Sequence, residues 1–137
     1  MRITAYFGRQ TVLARQEYKR IKFGDKNIRV LEGFVIGLAY KEILPRLKDI
    51  DWREIANTDI PNVTSNDDEK IVGVQTTLNL EQTVLTGIES LRKTFVSIFG
   101  TKKIYRPYVM KLILFAAILE ANGTLKTNKE ETTNDND

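Results

Sequence analysis

The sequence predicts an α+β, mostly helical protein. Two strand–helix–turn–helix units share one chain, and their strands pair as a two-stranded antiparallel ribbon over a common helical core. Three observations carry this reading. The tetrapeptide Gln-Thr-Val-Leu occurs twice, at 10–13 and 82–85. An alternating apolar/polar stretch precedes each copy, as expected of a strand with one dry and one wet face. A G-x-K-x-I segment follows each copy, at 24–28 and 100–104, and leads into a strongly apolar stretch. The spacing between the two motifs differs by four residues between copies. That is close to one helical turn, which a longer helix absorbs without changing its inward face.

The first unit spans 1–44. Ile3, Ala5 and Phe7 alternate with Arg2, Thr4 and Tyr6, giving the first strand. A weakly amphipathic helix follows, with Leu13, Tyr18 and Ile21 inward and a stop at Gly24. A second helix from about Arg29 to Leu44 turns Val30, Phe34, Val35, Leu38, Ala39 and Ile43 inward, and Pro45 ends it. Gly33 and Gly37 lower its helix propensity by about 1 kcal/mol each, and permit close contact with a neighbour.

Residues 45–71 form a connector. Arg46–Ile55 reads as a short helix with Leu47, Ile50 and Ile55 inward and Trp52 as a packing residue. Residues 56–70 read as a loop. The second unit spans 72–123. Val72, Val74, Thr76, Leu78 and Leu80 share one strand face; Gly73, Gln75, Thr77 and Asn79 share the other. Val84, Ile88, Leu91, Phe95 and Ile98 line one side of the next helix, with Asn79 and Gln82 as a capping box and Gly100 as the stop. The last helix starts near Pro107, ends at Asn122-Gly123, and is apolar all round from Leu112 to Leu119. Residues 124–137 lack core-forming side chains and read as a disordered tail.

Composition narrows the chemistry. Neither cysteine nor histidine occurs, so disulfides, thiolate zinc sites and imidazole catalysis are excluded. No Gly-rich phosphate loop or serine elbow is present. Asp67-Asp68-Glu69 sits among Asn, Ser and Thr and reads as a solvated loop. No enzyme activity, cofactor, metal or small-molecule substrate is implied. The longest apolar run is too short to span a bilayer, and no signal-peptide pattern opens the chain, so a cytoplasmic protein without a membrane partner is expected. The net charge of +3 is unevenly spread: residues 1–29 carry +6, 46–70 carry −3, 71–125 carry +3, and the stretch from Lys126 carries −2. The repeated segments are basic and the connector is acidic.

A short amphipathic strand, a helix, a turn and a second helix resemble the ribbon–helix–helix unit, and this chain resembles two in tandem, over 2–44 and 72–122. Such tandem chains occur among conjugative-plasmid accessory proteins and virus regulators. The resemblance implies a regulator of transcription, typically a repressor, that reads double-stranded DNA with a β-ribbon in the major groove. It implies that Arg2, Thr4, Tyr6, Gln75, Thr77 and Asn79 contact bases. Lys26, Asn27, Lys102 and Lys103 would lie where the second helix of each unit meets a phosphate. Arg9, Arg15, Lys19, Arg20 and Lys22 would widen the positive surface. Self-association along DNA is a further expectation.

Other readings stay open. The six ribbon residues are also what the wet face of an edge strand contains. Basic residues at 15–22 are equally those of a solvated helix, and Glu32 and Glu42 read as surface positions. The alternative functions are a non-enzymatic phage or plasmid interaction or assembly protein, or a relaxosome accessory DNA-binding protein.

Overall fold

Alternation of apolar and polar side chains at both predicted strand segments produces a pair of strands 66 residues apart in sequence, β1 (Arg2–Phe7) and β2 (Val74–Asn79). They form a two-stranded antiparallel sheet in the computed structural model, which describes residues 1–128. The register pairs Arg2 with Asn79, Ile3 with Leu78, Thr4 with Thr77, Ala5 with Thr76, Tyr6 with Gln75 and Phe7 with Val74. Ile3, Ala5, Phe7, Thr76 and Leu78 are buried beneath the sheet. A one-residue slip would send all of them to solvent, so burial pins the register. The dry face is shorter than expected at its start: Val72 precedes β2 and is 66% exposed, and Val74 is exposed at the sheet end.

Four main helices complete the frame: α1 (Arg9–Phe23), α2 (Glu32–Ile43), α4 (Gln82–Phe99) and α5 (Arg106–Ala121). A short α3 (Trp52–Asn57) lies in the connector. Strand, helix, left-handed glycine and apolar helix thus occur in that order in both halves. Gly24 and Gly100 close α1 and α4 with φ of 77° and 62°, and their N–H groups return to the Arg20 and Val96 carbonyls. A β-carbon is disfavoured in that conformation, which is why glycine stops both helices. α4 exceeds α1 by three residues and starts one residue nearer its Gln-Thr-Val-Leu, which absorbs the four-residue spacing difference.

α5 is the centre of the core. Every residue from Leu112 to Leu119 is buried, and the helix packs against α1, α2, α3, α4 and β1. Burying a large aliphatic side chain contributes roughly 1.5–3 kcal/mol, so this one segment is a major source of stability. The halves interlock, since α2 packs on β2 and α5 on β1. Among the described residues no helix is long and apolar enough to cross a membrane.

Several local expectations are corrected. α2 begins at Glu32, not Arg29, and Phe34 points outward at 55% exposure, while Ile36 and Tyr40 are buried instead. No side chain caps α4: Asn79 is still in β2 and the cap position is Glu81, so the expected capping box does not form. Leu44–Asp49 makes a 3-10 helix around Pro45 rather than joining α3. The loop after α3 is docked, with Ile60 and Val63 buried. Trp52 packs against Phe95 with ring centroids 5.0 Å apart and the planes tilted by 58°, and Arg53 donates to the Ile98 carbonyl at 2.6 and 2.9 Å. The expected disordered tail does not start at 124: Leu125 and Thr127 are buried, and Thr127 bridges to Ile50. Residues 129–137 lie outside the described part.

Candidate functional site

The outer face of the ribbon is assembled by the pleat. Side chains alternate across a strand, so burial of Ile3, Ala5, Phe7, Thr76 and Leu78 turns their neighbours outward. Arg2, Thr4, Tyr6, Gln75, Thr77 and Asn79 are all exposed. All six sequence-predicted ribbon residues therefore meet on one surface, as three cross-strand pairs: Arg2/Asn79, Thr4/Thr77 and Tyr6/Gln75.

The hydrogen-bond phase sharpens the geometry. Met1 and Leu80 exchange reciprocal backbone bonds of 2.8 Å, so they form a hydrogen-bonded pair. Alternation then makes the three outward pairs the non-hydrogen-bonded ones, whose side chains stand closest together. The Thr4 and Thr77 hydroxyls lie 3.5 Å apart at the centre. The Asn79 carbonyl points away from β1 and abuts α2, where a β-carbon on Gly33 would lie 1.6 Å from it. Tyr6 leans along the ribbon to Gly73, whose missing β-carbon would stand 2.0 Å from the phenol oxygen. Donors and acceptors of all six residues stay accessible: a guanidinium, two amides, two hydroxyls and a phenol.

The residues predicted to flank the ribbon divide. Lys102 and Lys103 are exposed just before α5, and the Lys103 ammonium lies 5.0 Å from the centroid of the Tyr105 ring. Lys26 lies beside Gln16, Glu17, Arg20, Asn62 and Asn66, against the flank of α1, not at the start of α2. The Asn27 amide N–H closes a turn onto Asp25 at 2.9 Å. The start of α2 is instead lined by Leu31, Glu32, Gly33 and Phe34.

The expected positive surface of α1 is largely consumed internally. Arg15 pairs with Glu32 at 3.3 Å, Lys22 with Glu42, and Arg20 grips Glu17 through two bonds of 2.7 and 2.8 Å. Lys19 is buried and donates to the Ile28 carbonyl, and Arg9 donates to the Asn66 and Asp68 carbonyls. Burial alone would raise the Glu17 pKa, but the hydrogen bonds from Arg20 and Asn62 bring it below the ordinary carboxylate value. Glu32 and Glu42 are accordingly pair partners, half-buried rather than free surface acids.

Two cations in the first turns of α5 escaped the sequence reading. Arg106 opens α5 and bonds Glu89 at 2.5 Å; placing the helix start at Pro107 hid it. Lys111 packs over the Tyr108 ring at 4.9 Å, and burial pushes its ammonium below the usual lysine pKa. Its place inside an apolar helix gave no signal. Among the described residues no group of three or more acidic side chains is placed to hold a metal ion. No protein-family model matches the chain, and neither the curated proteins nor the solved structures yield a match.

Proposed function

We propose that this chain is a tandem ribbon–helix–helix protein that binds double-stranded DNA in the major groove as a sequence-specific regulator of transcription inside the cell. One observation carries the reading: six polar side chains, in three cross-strand pairs, stand exposed on a two-stranded ribbon that no other described residue covers. Paired strands about 4.8 Å apart fit a groove about 12 Å wide. The side-chain chemistry suits base edges. An arginine donates two bonds to guanine, Asn and Gln bond adenine in bidentate fashion, and threonine methyls meet thymine. The interlocked packing of α2 on β2 and α5 on β1 supports the same reading, because it makes two units one rigid platform. The two strands differ, so the preferred site need not be a palindrome within one molecule.

The test is a salt titration on random and genomic duplexes. Affinity falls steeply with added salt, with a log–log slope of about −0.9 per phosphate neutralised. Absence of duplex binding at low salt removes both the regulator and the relaxosome readings.

One feature favours the rival reading of a non-enzymatic interaction or assembly protein. Leu31 is 79% exposed and Phe34 55%, side by side at the start of α2. Adjacent exposed apolar side chains of this size are unusual on a monomer surface. Absence of duplex binding at low salt would select that reading.

A further inference from the structure

The start of α1 lacks the groups that usually satisfy a helix N-terminus. Gly8 holds the cap position and has no side chain to offer, and no acid lies in the first turn. The first backbone bond runs from the Val12 N–H to the Gly8 carbonyl at 3.0 Å. The N–H groups of Arg9, Gln10 and Thr11 therefore have no acceptor inside the helix.

Gly8, Arg9, Gln10 and Thr11 line a shallow concavity whose other wall includes Tyr108 and Lys111 of α5. Two side chains in it are short of a partner. Thr11 is only 3% exposed, and its hydroxyl makes no hydrogen bond among the described residues. It is not sealed off as the Tyr18 hydroxyl is, and it borders the concavity. The Lys111 ammonium lies over the Tyr108 and Phe115 rings at 4.9 and 5.9 Å, with no carboxylate in ion-pair reach among the described residues. Burial disfavours its charged form, which a nearby anion would restore. Arg9 is left out of the count. Its guanidinium is bonded to the Asn66 and Asp68 carbonyls, in a loop whose Asp67, Asp68 and Glu69 are exposed and offset its charge.

We propose that this concavity binds a phosphate group, held by the N–H groups that open α1, the Thr11 hydroxyl and the Lys111 ammonium. Free N–H groups and the helix dipole favour an anion at such a place. A phosphate carries at least three acceptor oxygens on one centre, which suits donors arriving from two helices. The phosphate is either free or part of a duplex backbone, and the recognition chemistry is the same in both cases. The site stands whether or not the ribbon reads bases.

The test titrates inorganic phosphate, and separately a short duplex, into the isotope-labelled protein at constant ionic strength, with chloride as the balancing salt, and follows the backbone amides by NMR. Wild-type protein shows saturable shifts at Arg9, Gln10 and Thr11. Lys111→Met keeps the apolar stem and weakens binding by about tenfold, and Thr11→Val keeps the shape and weakens it by about fivefold. Gly8→Asp separates binding from folding. A β-carbon at Gly8 meets nothing within 4 Å, and its φ of −67° suits any residue. The new carboxylate caps α1 and raises Tm, while it takes up the free N–H groups and repels phosphate, so the shifts disappear. Shifts of the same three amides with the duplex assign a backbone phosphate, and shifts with inorganic phosphate alone assign a free one; both uphold the site. No saturable shift at these amides with either probe, or unchanged affinity in either Lys111→Met or Gly8→Asp, overturns it.

Discussion

Replacing Gly33 with alanine places a methyl group where the Asn79 main chain already stands. The new β-carbon would lie 1.6 Å from the Asn79 carbonyl oxygen, 2.6 Å from its carbon and 3.1 Å from its nitrogen. A comfortable carbon–oxygen contact is about 3.3 Å, so the start of α2 and the end of β2 must separate by roughly 1.7 Å. Neither is a flexible side chain tip; both are backbone in regular elements. Overpacking of this kind costs about 1–3 kcal/mol, and a backbone clash belongs at the upper end. Alanine also gains about 1 kcal/mol in helix propensity over glycine. The net expectation is a loss of about 2 kcal/mol, or a drop of roughly 6–10 °C in Tm for a chain of this size. Gly37 is the internal control. Its added β-carbon meets only the Val84 Cγ2 at 3.8 Å, an ordinary contact. Gly37→Ala therefore raises stability by about 0.5–1 kcal/mol. Urea and thermal unfolding followed by circular dichroism measure both. If Gly33→Ala stabilises as Gly37→Ala does, α2 does not press on β2, and the interlocked arrangement of helix and ribbon is refuted.

Three further outcomes are expected. Substituting Gln75 and Asn79 together with alanine removes discrimination among duplexes of about 1–3 kcal/mol per base contact while sparing bulk affinity, as read by competition between a selected site and random DNA; equal loss on every sequence shows that neither residue reads bases. The Glu17 carboxyl is held below its ordinary pKa by Arg20 and Asn62 against the opposing effect of burial, so its contribution is present above the unfolded carboxylate pKa and is lost as pH falls through the folded value. Glu17→Gln removes that acid-dependent part and costs about 1 kcal/mol at neutral pH, discounted because Arg20 is exposed, as urea melts across the acid range will show. Trp52→Phe keeps the ring contact with Phe95, whereas Trp52→Ala costs about 3–5 kcal/mol and frees the connector; the lone tryptophan of the wild type reports this packing by blue-shifted emission.

The ribbon was legible because its signals are local. Period-2 alternation in Arg2–Phe7 and across 74–79 is a property of six consecutive residues, and burial of one face enforces it. The left-handed stops at Gly24 and Gly100 were legible for a similar reason, since glycine is the residue that conformation favours. What failed depended on contacts between distant segments. Phe34 fits an inward helical pattern as well as Ile36 does; the approach of α2 to β2 at Gly33 rotates it outward, and although Gly33 and Gly37 allow a close neighbour, nothing within residues 29–44 says which element it is. Leu125 and Thr127 sit in a polar stretch and are buried because Thr127 meets Ile50 across the molecule.

Charge shows the same division with larger consequences for function. A count of lysines and arginines assigns residues 1–29 the most positive surface of the chain. Folding narrows the difference. Glu17, Glu32 and Glu42 are each within reach of one cation of α1, so Arg20, Arg15 and Lys22 present neutral pairs to a distant polyanion. The lesser excess in 71–125 survives, because its acids are few and Glu89 is shared between two arginines, while Lys102, Lys103 and Lys111 have no acidic partner among the described residues. Counterion release depends on cations free to meet a phosphate, not on formal charge. If a duplex is bound, both halves of the chain supply cations to it, and which ones are free follows from where the glutamates fold rather than from how many lysines the sequence holds.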